Sequence, residues 1–140
     1  LHSVDAMQTV DRIINFFPPH QHNLIRMQLS MVLEGVVSQR LIKRSDGPGR
    51  VAVCELMVAS PTVRQILLEG ETLQLYGAIK EGEYFGSQSY NTHLKILVSK
   101  GIITKEDALR ASDKPDELAL EFKGISKGAK GSDFFGQKKE

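Results

Sequence analysis

From residue 21 to 43 the chain carries its longest apolar pattern. Leu24, Ile25, Leu29, Val32, Leu33, Val36, Val37 and Leu41 recur at near-helical spacing. Read as one helix, that set covers a broad arc, so the stretch is predicted as a long helix buried on most sides. Such an element is stable only when other layers cover it. Pro18-Pro19 stops any helix before it, and Ser45-Asp46-Gly47-Pro48-Gly49 makes a turn after it. The chain has 140 residues, 41% of them hydrophobic, which fits one domain with a real core, or one small domain and an appendage.

The remaining elements are shorter. Ala6, Val10, Ile13, Ile14 and Phe17 predict a helix over 5–17, with Asp5 or Ser3 as its cap. Arg50 to Val58 alternates like a strand, and its charges, Arg50 and Glu55 among them, are expected to face water. Ser60-Pro61 supplies an N-cap and an N1 proline for a helix that ends at Gly70. Helices are predicted over 72–81 and 90–100. Thr104-Lys105-Glu106-Asp107 is a variant capping box that opens a last helix through Ser112. After Phe122, glycines alternate with lysines and serines, so 123–140 is expected to be a disordered tail. The composition shifts near residue 59. Two long helices and a strand precede it, and a small bundle of short helices follows.

Charge and composition exclude several classes. The net charge is +1, which gives no electrostatic basis for nucleic-acid binding. Residues 94–109 can be drawn as a helix-turn-helix, but Lys105-Glu106-Asp107-Ala108-Leu109-Arg110 balances acids against bases and lacks a basic face. One cysteine forms no internal disulfide and fits a reducing cytosol. No apolar run reaches the ~20 residues that span a bilayer. His20, His22, His93 and Cys54 are too scattered for a zinc site, which needs two close ligand pairs, so no metal is expected. No Ser-His-Asp or Cys-His arrangement is present. The pairs Glu69/Glu71, Glu81/Glu83 and Asp116/Glu117 read as solvated charge.

Four segments, in order, carry a resemblance. Leu1-His2 opens the chain and Asp11-Arg12-Ile13-Ile14-Asn15-Phe16-Phe17-Pro18 follows. Gly49-Arg50-Val51-Ala52-Val53-Cys54-Glu55-Leu56-Met57 and Ala78-Ile79-Lys80-Glu81-Gly82 come next. Together they resemble the C-terminal portion of the type IV pilus retraction ATPases, the PilT- and PilU-like twitching-motility motors of the type II/IV secretion ATPase superfamily. The resemblance runs from about residue 1 to about 120. It implies an α/β fold: the C-terminal part of a RecA-like ATPase core over 1–58, mostly helical with few strands, then a helical domain over 59–122 and the tail.

The resemblance also implies roles. His2 stands where the family ends a core strand in a histidine that reaches toward the γ-phosphate. An imidazole suits that task because it donates hydrogen bonds and titrates near neutral pH. Ala78, Ile79, Lys80, Glu81 and Gly82 resemble a retraction signature that couples hydrolysis to movement. Lys80 stands in place of arginine, which keeps the charge and loses the planar fork. Gly82 is suited to a left-handed cap of that helix. Asp11, Arg12 and Arg50 are candidates for a subunit contact, and Gln39, at the end of the long helix, for a structural role.

The whole motor implied is a homo-hexamer, cytoplasmic and peripheral at the inner membrane, that acts on a membrane platform protein and needs ATP and Mg²⁺. No G-x-x-x-x-G-K-[ST] loop and no strand ending in paired acids occurs in this chain. With no initiator methionine at Leu1, the chain is therefore expected to be a piece of a longer protein that does not hydrolyse ATP alone. The single cysteine argues against an assembly-type ATPase, whose four-cysteine zinc site it cannot build. Asp11–Pro18 and 113–122 look closer to the accessory motor, and Ala78–Gly82 to the principal one, so the subtype stays open. The rivals are a pilus-assembly or type II secretion ATPase fragment and a stand-alone helical interaction module.

Overall fold

The computed structural model describes Leu1 and residues 3–124. His2, and the predicted tail beyond residue 124, lie outside the described residues. Among the described residues seven helices and one hairpin follow in order: α1 (Ala6–Asn15), α2 (His22–Val32), β1 (Gly35–Lys43), β2 (Arg50–Val58), α3 (Pro61–Glu69), α4 (Leu75–Glu81), α5 (Tyr90–Ser99), α6 (Lys105–Ala111) and α7 (Pro115–Phe122). Short 3-10 turns at Pro19–Gln21, Thr72–Gln74 and Gly82–Phe85 join them.

The long helix predicted over 21–43 is wrong in its second half. The helix stops at Val32, Leu33 turns extended, and Gly35–Lys43 is a strand. Pairing overrides the helical reading: β1 lies antiparallel to β2 from Gly35↔Val58 to Lys43↔Arg50. The same residues then fit a period of two. Val36, Ser38, Arg40 and Ile42 face inward with Met57, Glu55, Val53 and Val51 opposite, while Val37, Gln39, Leu41 and Lys43 face out. Gly35 permits the pairing to begin, because a Cβ there would lie 2.9 Å from the Met57 carbonyl oxygen. Gln39 is thus an outward strand residue and does not end a helix. Burial on most sides fails too, since Val37 and Leu41 are 68% and 55% exposed.

Local signals placed the other elements well. Asp5 caps α1, accepting from the Gln8 N–H at 2.7 Å. Ser60 accepts from Val63, with Pro61 at N1 of α3. Thr104 accepts from Asp107 and opens α6. The helix predicted to be the last is followed by α7, which begins with Pro115 and carries Asp116 and Glu117 in its first turn.

Two apolar clusters fill the interior. The first joins Ala6, Val10 and Ile14 of α1 to Ile25, Met57, Val63, Ile66, Leu67, Leu75 and Ile79. The second joins Val53 to Tyr90, Leu94, Leu97, Ile103, Ala108 and Leu118. Each fully buried Val, Leu, Ile or Met side chain among them stabilises the fold by roughly 1.5–3 kcal/mol. Both clusters draw residues from either side of residue 59. Strand β2 feeds them alternately: Met57 enters the first, Val53 the second, and Glu55 sits on the same face between them.

The far edge of β2 is covered. Leu56 exchanges backbone hydrogen bonds with Gln88, Val58 N–H donates to Ser87 Oγ, and Cys54 N–H donates to His93 Nδ1 at 2.9 Å. Among the described residues β1 pairs only with β2, so its other edge is open.

Candidate functional site

The segment that follows His2 is tied down by residues from three elements. The Val4 carbonyl accepts from Arg40 Nη2 at 3.2 Å and from the Tyr90 hydroxyl at 3.0 Å. The Ala6 N–H donates to Glu55 Oε1 at 2.9 Å. Arg40 also donates two hydrogen bonds to Asp113, at 2.9 and 2.5 Å, and its guanidinium lies 4.1 Å over the Tyr90 ring. Two strands (β1 and β2) and a helix (α5) therefore converge on residues 4–6, and the loop before α7 braces Arg40 through Asp113. Planar guanidinium geometry lets one side chain serve carboxylate, carbonyl and ring together.

Glu55 departs from the expectation that it faces water. It is 4% exposed, on the inner face of β2. Burial pushes its carboxyl above the usual carboxylate range; the Ala6 N–H and Arg40 oppose this, and the nearby charge of Asp5 adds to it. Burial disfavours the charged form because the interior solvates it poorly. Burial and the carboxylates of Glu55 and Asp113 likewise raise the Tyr90 hydroxyl, though Arg40 opposes them.

The second candidate region is Ala78–Gly82, at the end of α4. Ile79 is buried and Lys80 and Glu81 lie at the surface. Lys80 is not free in solvent: its ammonium pairs with Glu117 and, at 3.5 Å, with Glu121 of α7, while Lys95 of α5 reaches Glu121 at 2.6 Å. Tyr76 donates to Glu117 at 3.2 Å. Glu117 is therefore a network member, contrary to its reading as solvated charge. Its carboxyl is pushed up by burial, but Lys80 and Tyr76 outweigh that and hold it below its ordinary value. The hydrogen bond from Lys80 to Glu117 raises the Lys80 ammonium in turn. The phenol of Tyr76 is raised by burial and by Glu117. This network clamps α4 and α5 against α7.

Gly82 does not adopt the left-handed conformation its place after α4 suggested; its φ is −85° and its ψ 17°. The left-handed residue is Gly86, four positions on. Gly82 is instead required by proximity. A Cβ there would lie 3.0 Å from both Cβ and Oγ of Ser87, the residue that accepts from Val58 at the end of β2.

Asp11 and Arg12 lie on α1, and Arg50 is exposed at the start of β2 opposite Lys43. Among the described residues none of the three makes a side-chain hydrogen bond or ion pair. His22 bonds to the Phe17 carbonyl at 2.8 Å and His93 accepts from Cys54, so two of the histidines serve local structure. Arg40, Tyr90 and Asp113 are missing from the sequence reading. The alternation that puts Arg40 on the same face as Glu55 was the available signal, and the helical reading of 33–43 hid it.

No family model matches the chain. It is 39% identical over 118 residues to the type IV pilus retraction ATPase PilT of Pseudomonas aeruginosa, covering 84% of this chain and 34% of that protein. It is 37% identical over 123 residues to the type IV pilus ATPase PilU of the same organism, covering 88% and 32%. A twitching motility protein of Neisseria gonorrhoeae is 36% identical over 120 residues, covering 86% and 32%. The chain thus spans about a third of the length of the curated relatives it matches. Among solved structures, the pilus retraction motor PilT with bound ADP superimposes with a TM-score of 0.73 at 35% identity, over 85% of this chain and 33% of that one. The Legionella pneumophila ATPase DotB shares the fold, with a TM-score of 0.62 at 22% identity, over 89% and 31%.

Proposed function

We propose that this chain, a relative of the type IV pilus retraction ATPases in both sequence and fold, is the C-terminal third of such a motor. The observation that carries the reading is the 39% identity to PilT, sustained over 118 residues. In this reading, residues 1–58 close the nucleotide-binding core and 59–122 pass its movement on. ATP and Mg²⁺ would be held by a phosphate-binding loop and acids supplied by other residues of the longer protein. His2 would reach the γ-phosphate side and respond to its loss on hydrolysis. The chain alone would then be inactive.

Two features of the fold support that division of labour. The backbone just after His2 is latched to β1, β2 and α5 through Arg40, Glu55 and Tyr90, so displacement there would be felt by the helical part. At the other side, Lys80 locks α4 to α7, so Ala78–Gly82 would move with those helices as one body. The open edge of β1, with Val37 and Leu41 exposed beside it, offers a surface for the rest of the core. Among the described residues the side chains of Asp11, Arg12 and Arg50 have no partner, which suits them to contacts between subunits of a homo-hexamer. The assembled ring would work in the cytoplasm on a platform protein at the inner membrane. Among the described residues no helix is long and apolar enough to cross a membrane.

A chimera tests the proposal: the matching third of P. aeruginosa PilT replaced by residues 1–122 of this chain. The purified chimera is expected to assemble into hexamers and hydrolyse ATP, and His2→Ala is expected to reduce hydrolysis at least tenfold with assembly intact. A chimera that assembles but does not hydrolyse ATP, or a His2→Ala variant as active as its parent, contradicts it.

A further inference from the structure

We propose that the cavity between α1, α4 and α5 binds a small organic cation, an alkylammonium head on a short apolar stem. The cavity has a volume of about 260 Å³. That lies just below the roughly 300–1,000 Å³ of pockets for drug-sized ligands, so the occupant is small. Leu73, Tyr76 and Ile79 give it apolar wall, Asp5, Glu55 and Asp113 give it acid, and Lys114 is the one base among the described residues of its lining.

Of the described residues, neither cation beside it is paired with Asp5 or Glu55. Arg40 holds Asp113 and the Val4 carbonyl, and Lys114 Nζ lies 4.6 Å over the Tyr76 ring. Among the described residues neither Asp5 nor Glu55 has an ion-pair partner. Glu55 is more than nine-tenths buried, yet its one hydrogen bond in the described chain is the Ala6 N–H on Oε1. An ionised carboxylate has room for about four. A buried charge without a partner is costly, so the site favours a ligand that brings a positive charge and several N–H donors. Among the described residues no group of three or more His, Cys, Asp or Glu is placed to hold a metal ion, which favours an organic cation with an apolar stem.

The inference does not depend on the motor reading and is tested on the 140-residue chain itself. Amide NMR spectra are recorded during titration with n-butylammonium chloride and with n-butanol, at constant chloride and ionic strength. The ammonium is expected to give saturable shifts at Ala6, Glu55 and Tyr90 with a millimolar Kd, and butanol to bind at least tenfold more weakly. Glu55→Gln keeps an acceptor for Ala6 and should weaken the ammonium at least tenfold while leaving butanol unchanged. No saturation by 100 mM, equal affinity for the two probes, or an unchanged Kd in Glu55→Gln overturns the proposal. If Glu55→Gln does not fold, Asp5→Asn decides, since asparagine still caps α1. A loss of threefold or more supports the site and an unchanged Kd rejects it.

Discussion

Gly82→Ala sets two effects of opposite sign against each other. The backbone there, at φ −85° and ψ 17°, is open to alanine. At such a position, replacing glycine reduces the entropy of the unfolded chain and stabilises by about 0.4–1 kcal/mol. Against that, the new methyl group lies 3.0 Å from the Cβ and Oγ of Ser87. Ser87 is buried and its Oγ accepts from the Val58 N–H at 3.0 Å, so it cannot swing away without leaving that donor unpaired. Overpacking costs about 1–3 kcal/mol, and loss of the hydrogen bond adds about 0.5–1.5 kcal/mol. The clash wins: the three terms together give a destabilisation of about 0.5–4 kcal/mol, centred on about 2 kcal/mol. With roughly 2.1 cal/mol/K of unfolding entropy per residue, the central value lowers Tm by about 4–8 °C. Urea and thermal unfolding of Gly82→Ala measure it directly. Ser87→Gly removes both clashing atoms, so the double variant should be less destabilised than the sum of the singles by about 1 kcal/mol. A neutral or stabilised Gly82→Ala would refute the proximity argument and return Gly82 to a conformational role.

Two further predictions concern charge. Lys80→Ala should cost about 1 kcal/mol or less, because the Lys80 side chain is 39% exposed and solvent screens its pairs. A double-mutant cycle with Glu117→Gln should then give a coupling of about 0.3–1 kcal/mol by urea unfolding. Glu55 makes stability depend on pH with a defined sign. Its carboxyl is raised in the folded state, so the folded chain holds the proton more tightly and the ionised form weakens the fold. As pH falls from 7 toward the ordinary carboxylate range the wild type should gain stability from this group. Glu55→Gln should show its largest advantage at neutral pH and lose that advantage on acidification, as read from urea midpoints across the range.

What the sequence revealed was decided by how local each signal is. Ser60-Pro61 and Thr104–Asp107 are short-range capping chemistry, and both helix starts lie where the residues put them. The hairpin was only half legible. Arg50–Val58 alternates clearly, but Val32, Leu33, Val36 and Val37 satisfy helical spacing as well as strand spacing, and only the partner strand decides between them. A helical reading of 33–43 cannot put Arg40 on the same face as Glu55, and so it hides the latch on Val4. Glu55 looked like surface charge because a single carboxylate among valines gives no sign of the backbone N–H, 49 positions earlier, that holds it. The helix from Pro115 does carry a local signal, in its proline and first-turn acids. The family resemblance rests on segments of two to nine residues in order, a signal that survives such errors because it does not depend on secondary structure.

The most direct test of the account is retraction itself. The chimera of P. aeruginosa PilT carrying residues 1–122 of this chain is expressed in a P. aeruginosa strain lacking PilT, and the width of the twitching zone is measured beside wild-type PilT and an empty vector. A zone clearly wider than the vector control, abolished by His2→Ala, is the result expected. A chimera present at normal levels and assembled into hexamers, yet no wider in its zone than the vector, would contradict the claim that this chain is the C-terminal third of a retraction motor.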